Sequence, residues 1–379
     1  MKKAILALLV LASILCMGSM PAMCTEKTIT DMEGRTVTIS EPLERVVTAG
    51  YSIAPCVMAA FGIGDKIVGA GGAVYPGGNF TTVPAYLIPA LQNMSDLGRG
   101  SSLNAEAAIA LNPNILILEV DCAGQGDSTQ KYGQLIEKLD LFKESVPLVV
   151  IKNGACANPP SPDNIYQEIE ILGEIFDKQA KAKEMIDFLK EEVDLVKQRT
   201  DGINEDEKPS VLFATLVAWS TTSKGALIGS EPDYDCATLY PGITNIKNAN
   251  TGQTRLDLSA EQLLALDPDV IILQHTKEQW MPEDLYERDV YKAIQGLKAV
   301  KNNHVYSTGH LVLYRFNAGL EFPIEMLIEA KAAYPERFKD VNVGEQLTKH
   351  YKTIYGLNDE QAEELKELMD LEWMDEEGY

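Results

Sequence analysis

The chain is short of cations. Its 379 residues carry 33 Lys and Arg against 56 Asp and Glu, a net charge of −23. That balance excludes the phosphate-neutralising surface of a nucleic-acid binder and the polybasic patch that holds a protein on anionic lipid. Histidine is scarcer still. His275, His304, His310 and His350 are the only four, all in the second half, so no His-rich loop exists to cage a bare zinc or manganese ion. Six cysteines include no CxxC pair, which argues against a zinc ribbon. Past the first residues there is no apolar run of about 20, the length needed to cross a membrane. HExxH, the phosphate loop GxxxxGKS/T and a Ser-His-Asp order are missing, so hydrolases and nucleotide enzymes leave no specific signal.

What is present fits a globular protein. Hydrophobic residues make up 45% and charged residues 23%, enough for a real core, and the length predicts two to three domains. The N-terminus stands apart: Lys2 and Lys3, an apolar run from Ala4 to Leu15, then small and polar residues through Cys24. This layout reads as a secretory signal peptide over 1–24, which makes the mature chain exported, periplasmic or cell-surface. Cleavage after Ala22 or Cys24, and a lipid on Cys24, both stay open. Cys56, Cys122, Cys156 and Cys236 remain, in a compartment that permits disulfides.

Alternating residues over 28–30 and 36–39 predict a hairpin. Strands follow at 45–49, 67–70, 115–119 and 146–151, with a helix from about Ala54 and a Gly- and Pro-containing loop over 71–98. Apolar strands alternating with helices indicate parallel sheets covered on both faces. Asp163 to about Arg199 reads as one helix, over ~50 Å long. Later elements are a strand at 211–216, a strand at 305–307, helices at 318–333 and 343–355, and an acidic helical tail read as a solvated amphipathic cap. The central observation is a repeat at a constant offset of 155 residues: Asn104 to Leu118 aligns with Ser259 to Leu273, each a capped short helix, an Asn/Asp-Pro turn and a buried strand. Two lobes of one design follow. The fold class is α/β, two Rossmann-like lobes with central parallel sheets joined by one long spine helix. The segments are a signal peptide (1–24), a first lobe (25–155), linker and spine (156–205), a second lobe (206–356) and the tail (357–379).

Asp31-x-x-Gly34-Arg35-x-Val37-x-Ile39, Pro42 and Glu44-Arg45-Val46-Val47, with both Glu-x-x-x-Ala-Leu-x-Pro repeats, Phe322-Pro323 through Ala330, Tyr334-Pro335-Glu336 and the Tyr351 to Tyr355 stretch, carry a resemblance. Over roughly 28–356 the chain resembles the substrate-binding components of ABC importers for iron complexes (siderophores), haem and cobalamin. The resemblance implies the class III binding-protein architecture, a rigid spine that limits closure, no enzymatic activity and no intrinsic cofactor. Its ligand would be an iron complex or corrinoid held in the inter-lobe cleft, and its partners the permease and ATPase of an importer. It also implies that Glu106 and Glu261, at equivalent positions of the repeat, dock into Arg pockets of the permease. On physical grounds alone, two rigidly spaced acidic knobs suit a two-fold symmetric cationic partner, while a first-turn Glu also favours its own helix.

An open α/β sheet binds ligand beyond the C-terminal ends of its strands. In the first lobe those ends deliver Tyr51, Tyr75, Glu119, Asp121, Cys122 and Asn153. In the second they deliver Trp219, Thr221, Lys224, Gln274, His275, His310, Tyr314 and Arg315. Aromatic faces suit a large chelate, and Arg315 and Lys224 suit its carboxylate or catecholate charge. For Cys122 and Cys156 a disulfide, thiolate ligation of a metal and two free thiols all remain open. A metal-cofactor enzyme using Cys122, Cys156 and His275 is one competing reading, and a surface adhesin or sensor another.

Overall fold

The computed structural model describes residues 25–375 apart from 51–52, 72–81, 99, 123–126, 144, 217–225, 231–235, 237–239, 250–255, 275–280, 309–318 and 370. The described chain opens with an antiparallel hairpin, β1 (Glu26–Thr30) and β2 (Thr36–Ser40). Its turn explains the Asp-x-x-Gly-Arg motif. Gly34 takes φ +74°, a left-handed conformation that glycine adopts without strain. The buried Asp31 carboxylate accepts the backbone N–H groups of Glu33, Arg35 and Val150, and pairs with the Arg35 guanidinium at 2.7 Å. One carboxylate thereby fastens the hairpin to the first lobe.

That lobe is a parallel sheet in the order β4 (Ile67–Ala70), β3 (Val46–Ala49), β5 (Ile115–Val120), β6 (Leu148–Lys152). Side chains of a strand alternate between faces, and this sheet is apolar on both. Ile115 and Ile117 enter one core with helix α1 (Ile53–Ala60), while Leu116, Leu118 and Val120 enter another beneath helices α3 (Ala105–Ala110) and α4 (Asp127–Asp140). A five-residue helix, α2 (Val83–Leu87), caps the first core. The second lobe has the parallel order β12 (Val305–Ser307), β11 (Val270–Leu273), β7 (Ser210–Ala214), β9 (Lys247–Asn248), with an antiparallel pair β8 (Ala226–Ser230) and β10 (Leu256–Ser259) beside it.

The repeat appears as matched geometry. α3 starts at the N-cap Asn104 and its counterpart α7 (Ala260–Leu266) at Ser259, each cap side chain accepting a backbone N–H three residues on. Both helices run into an Asx in left-handed conformation, Asn112 (φ 50°) and Asp267 (φ 41°), where a short polar side chain is tolerated before proline. One position later in both proline turns a side chain grips the neighbouring strand. Asn114 Oδ1 accepts the N–H groups of Glu44 and Arg45, and Asp269 Oδ2 accepts the N–H and hydroxyl of Ser210. Although burial works against it, these Ser210 bonds hold the Asp269 carboxyl below its usual range.

The predicted helix over 163–199 is two helices, α5 (Asp163–Ile175) and α6 (Gln179–Thr200), broken at Asp177, whose φ is 54°. The 22 residues of α6 span about 33 Å, not 50. The apolar stripe is in phase across the break, Ile175 to Ala182 being seven residues, so periodicity conceals it. Gly173 lets the helices close at the bend: a Cβ there would lie 2.7 Å from Ala182 Cβ.

The two lobes share a core. Ile53 and Val57 of α1, Ile169 and Leu172 of α5, and Leu189 and Val196 of α6 form one apolar cluster with residues of α8 (Phe322–Ala333) and α9 (Val343–Tyr355). The acidic tail joins it. Helix α10 (Asp359–Leu368) keeps its acidic face in water but buries Ala362 and Leu365, and Met369, Leu371 and Met374 follow them into the core. Buried Lys366 ends on Glu363 and Asp375 at 3.0 and 2.7 Å, and Glu364 accepts the Tyr86 hydroxyl of α2 at 2.7 Å. The tail therefore holds both α9 and the first lobe. Among the described residues no helix is long and apolar enough to cross a membrane.

Two pairs of polar groups inside this core join different elements. His350 of α9 meets Glu192 of α6 at 2.8 Å, both buried, and Tyr355 donates to Glu321 at 2.5 Å. Burial pulls the His350 pKa down, but Glu192 and Glu321 outweigh it and the net shift is upward; Cys56 of α1, Tyr351 and Tyr355 are the other titratable groups facing this site. A raised folded value means that the pair's stabilisation is complete below about pH 6.5 and fades as pH climbs through the folded value. The urea-unfolding free energy of the wild type should exceed that of His350→Gln most at low pH, with the gap narrowing as pH rises. A gap independent of pH would contradict the assignment.

Candidate functional site

The C-terminal ends of β5 and β6 carry the described part of the expected cleft. Val120 ends β5, and Asp121 and Cys122 follow; β6 ends at Lys152 and Asn153 follows. Asn153 Nδ2 donates to Asp121 Oδ1 at 2.7 Å, and its carbonyl accepts the Asn164 side chain at 3.0 Å. Cys122 and Cys156 are joined by a disulfide with Cα atoms 4.9 Å apart, which staples the two strand ends together. A depression of roughly 620 Å³ beside the bridge lies between the N-terminal hairpin and α4, lined by Glu33, Tyr132, Ile136 and Lys152.

Glu119 continues the odd-numbered face of β5 and is buried on the α5 side. There it meets Glu168 of α5, which is fully buried and has no hydrogen-bond partner among the described residues. Burial, with Glu119 adding repulsion, pushes the Glu168 carboxyl well above its usual range. From the second lobe Tyr240 comes to the same place. A Cβ on Gly154 would lie 2.0 Å from the Tyr240 hydroxyl oxygen, so only glycine admits this inter-lobe contact. Burial raises the Tyr240 phenol strongly, with Cys236, Glu168 and Glu325 contributing. Glu329 accepts the Cys236 N–H at 3.1 Å. Beneath the strand ends, then, the lobes meet through buried carboxyl and phenol groups, able to donate and accept hydrogen bonds. In the second lobe Gln274 and Thr308 are buried at the ends of β11 and β12, the Thr308 hydroxyl donating to Leu273 O at 3.3 Å. Among the described residues no group of three or more His, Cys, Asp or Glu side chains is arranged to hold a metal ion.

The structure thus brings together Glu119, Asp121, Asn153, Cys122 and Cys156 at one edge of the first lobe. Tyr51, Tyr75, Trp219, Thr221, Lys224, His275, His310, Tyr314 and Arg315 lie outside the described residues, as does Cys24. Glu168, Tyr240, Glu325 and Glu329 were not singled out by the sequence reading. A signal existed: Glu168 interrupts the Ile165, Ile169, Leu172 stripe, and Glu321, Glu325 and Glu329 share one face of α8 at four-residue spacing.

Glu106 and Glu261 both sit in the first turn of their helices and project into solvent. Lys138 of α4 pairs with Glu106 at 2.9 Å. Being exposed, that ion pair holds the carboxylate only weakly.

A family model described as periplasmic binding protein matches residues 57–310, more than half of the chain. An uncharacterized ABC transporter substrate-binding lipoprotein of Bacillus subtilis, YvrC, is 24% identical over 83% of this chain and 87% of its own length. The molybdate-binding protein MolA of Haemophilus influenzae is 22% identical over 87% and 91%, and the petrobactin-binding protein YclQ of Bacillus subtilis 22% over 62% and 68%. Among solved structures, a periplasmic solute binding protein from Veillonella parvula superposes with a TM-score of 0.69, at 22% identity, over 94% of this chain and all of its own.

The disulfide invites a direct check. Closing a loop of 34 residues is worth about 3–4 kcal/mol in the chain-entropy account. Cys122→Ser with Cys156→Ser should lower the urea-unfolding free energy by that amount, and both thiols of the wild type should resist alkylation until reductant is added. Labelling of both without reductant would contradict the bridge.

Proposed function

The chain belongs to the periplasmic binding protein family as a substrate-binding component of an ABC transporter, and on that premise we propose that it captures a ferric siderophore in the inter-lobe cleft and delivers it to a membrane permease. In this reading Tyr51, Tyr75 and Trp219 supply flat apolar faces for the body of the chelate. Lys224 and Arg315 meet its anionic periphery, and His275, His310, Tyr314, Glu119 and Asp121 complete the wall. The observation that carries the reading is the pair of parallel sheets, one in each lobe, with Gly154 beyond the end of β6 meeting Tyr240 of the second lobe. The petrobactin-binding relative supports an iron chelate as cargo. Corrinoid and haem follow in order. MolA, whose similarity extends over more of the chain, supports an oxyanion as the competing cargo. The protein works outside the cytoplasm: the basic start and short apolar run before Glu26 support export, and the lipoprotein among the relatives supports a lipid on Cys24. Glu106 and Glu261 are the permease-docking residues, and the transporter's ATPase supplies the energy of uptake.

Two experiments test this. Fluorescence titration of the mature chain should show saturable one-to-one quenching by a ferric catecholate siderophore, weakened about tenfold or more by Trp219→Ala and by Arg315→Ala. Saturable binding of molybdate with no response to ferric siderophore would overturn the cargo. Glu106→Lys with Glu261→Lys should leave cargo affinity unchanged and abolish uptake; wild-type uptake in that double variant would remove the docking roles.

A further inference from the structure

Five large apolar side chains stand exposed among the described residues: Leu141 at 80%, Val290 at 53%, Leu264 at 44%, Leu368 at 43% and Phe142 at 36%. Leu368 ends α10. Leu264 shares the helix of Glu261, Val290 lies on a turn packed against that helix, and Leu141 and Phe142 follow the helix that carries the ion-pair partner of Glu106. In the first lobe Glu106 is paired with Lys138, and Leu141 and Phe142 follow Lys138 by three and four residues. The chain there continues the turn of α4, with Phe142 N–H donating to Leu139 O at 3.0 Å, so all three side chains share one face. In the second lobe Leu264 follows Glu261 by three residues on α7, and the 3-10 turn Asp289–Ile294, which carries Val290, packs against that helix. The repeat extends to this feature: Ile109, half-buried, stands three residues after Glu106 as Leu264 does after Glu261.

We infer that each glutamate is the centre of a mixed acidic and apolar contact patch, and that the partner is the permease, presenting at two related positions a basic side chain ringed by apolar ones. The inference rests on the docking reading above and adds the chemistry of the partner surface. A carboxylate entering a contact must find a cation there, because losing water without one is costly. Apolar neighbours exclude water around that pair and strengthen it. Glu261 has no ion pair with any described residue, and Glu106 has only the weak exposed one, so both are available. A second copy of this chain fits poorly, since acid would face acid. An anionic lipid surface fails for the same reason.

The test uses the mature chain and its permease–ATPase complex in nanodiscs, with affinity measured at low and high salt. Leu141→Ser with Val290→Ser should weaken binding about tenfold or more while the salt dependence and cargo affinity stay as in the wild type. Val290→Ser alone, at a position half in water, guards against a folding defect in the double variant, and thermal unfolding checks both. Glu106→Lys with Glu261→Lys should abolish binding. Loss in the glutamate variant with wild-type affinity in the serine variant overturns the apolar patches and leaves the docking reading standing. Wild-type affinity in the glutamate variant overturns both. Self-association of the mature chain in sedimentation, abolished by Leu141→Ser with Val290→Ser, would assign the patches to a second copy and overturn the permease as occupant.

Discussion

One apolar core runs from the first sheet through α5 and α6 into the last three helices, and the relation of the lobes depends on it. Two lobes joined by flexible strands close on a ligand by rotating about the strands. Here α1 of the first lobe packs on α5 and α9, and α8 and α9 pack on α6. Opening the lobes widely would expose that shared surface to water, a cost that grows with every apolar side chain uncovered. The lobes then stay within a narrow range of relative positions. The same constraint fixes the spacing of Glu106 and Glu261, which sit on helices of different lobes. A partner that reads both at once reads the geometry of the shared core.

The core is not purely apolar, and its polar groups lie where the lobes meet. Glu192 and His350 link the spine to α9, Glu321 and Tyr355 link α8 to α9, and Glu119 and Glu168 lie under the strand ends with Tyr240 beside them. A carboxyl left without a partner in such a place is driven toward its neutral form by the cost of a buried charge, the direction in which the Glu168 carboxyl is shifted. Satisfied pairs restrict the packing to arrangements in which donors and acceptors meet, which an apolar surface alone would not demand.

The sequence was most informative where local chemistry and packing agree. The hairpin was legible because Asp31, Gly34 and Arg35 each answer a need of one turn, and the repeat because Asn112 and Asp267 must end a helix before proline in both lobes. The helices read over 343–355 and in the tail are both present. The break at Asp177 did not, because the stripe stays in phase through it and only the left-handed backbone reveals the bend. The tail was read as a solvated amphipathic cap, and Ala362, Leu365 and Met369 form the apolar face that finds α9. At the site, strand-end residues such as Asp121 and Asn153 were legible from topology. Glu168 and Glu325 were not, since a buried carboxylate on an apolar stripe makes sense only once the opposing element is known.

Native-state amide hydrogen exchange tests the shared core most directly. If the core is one unit, the slowest amides of α1, α6, α8 and α9 exchange only through global unfolding, with a common free energy and a common denaturant dependence. If the slow amides of α9 exchange through a smaller opening while those of α1 remain protected, the lobes hold separate cores and the account is contradicted.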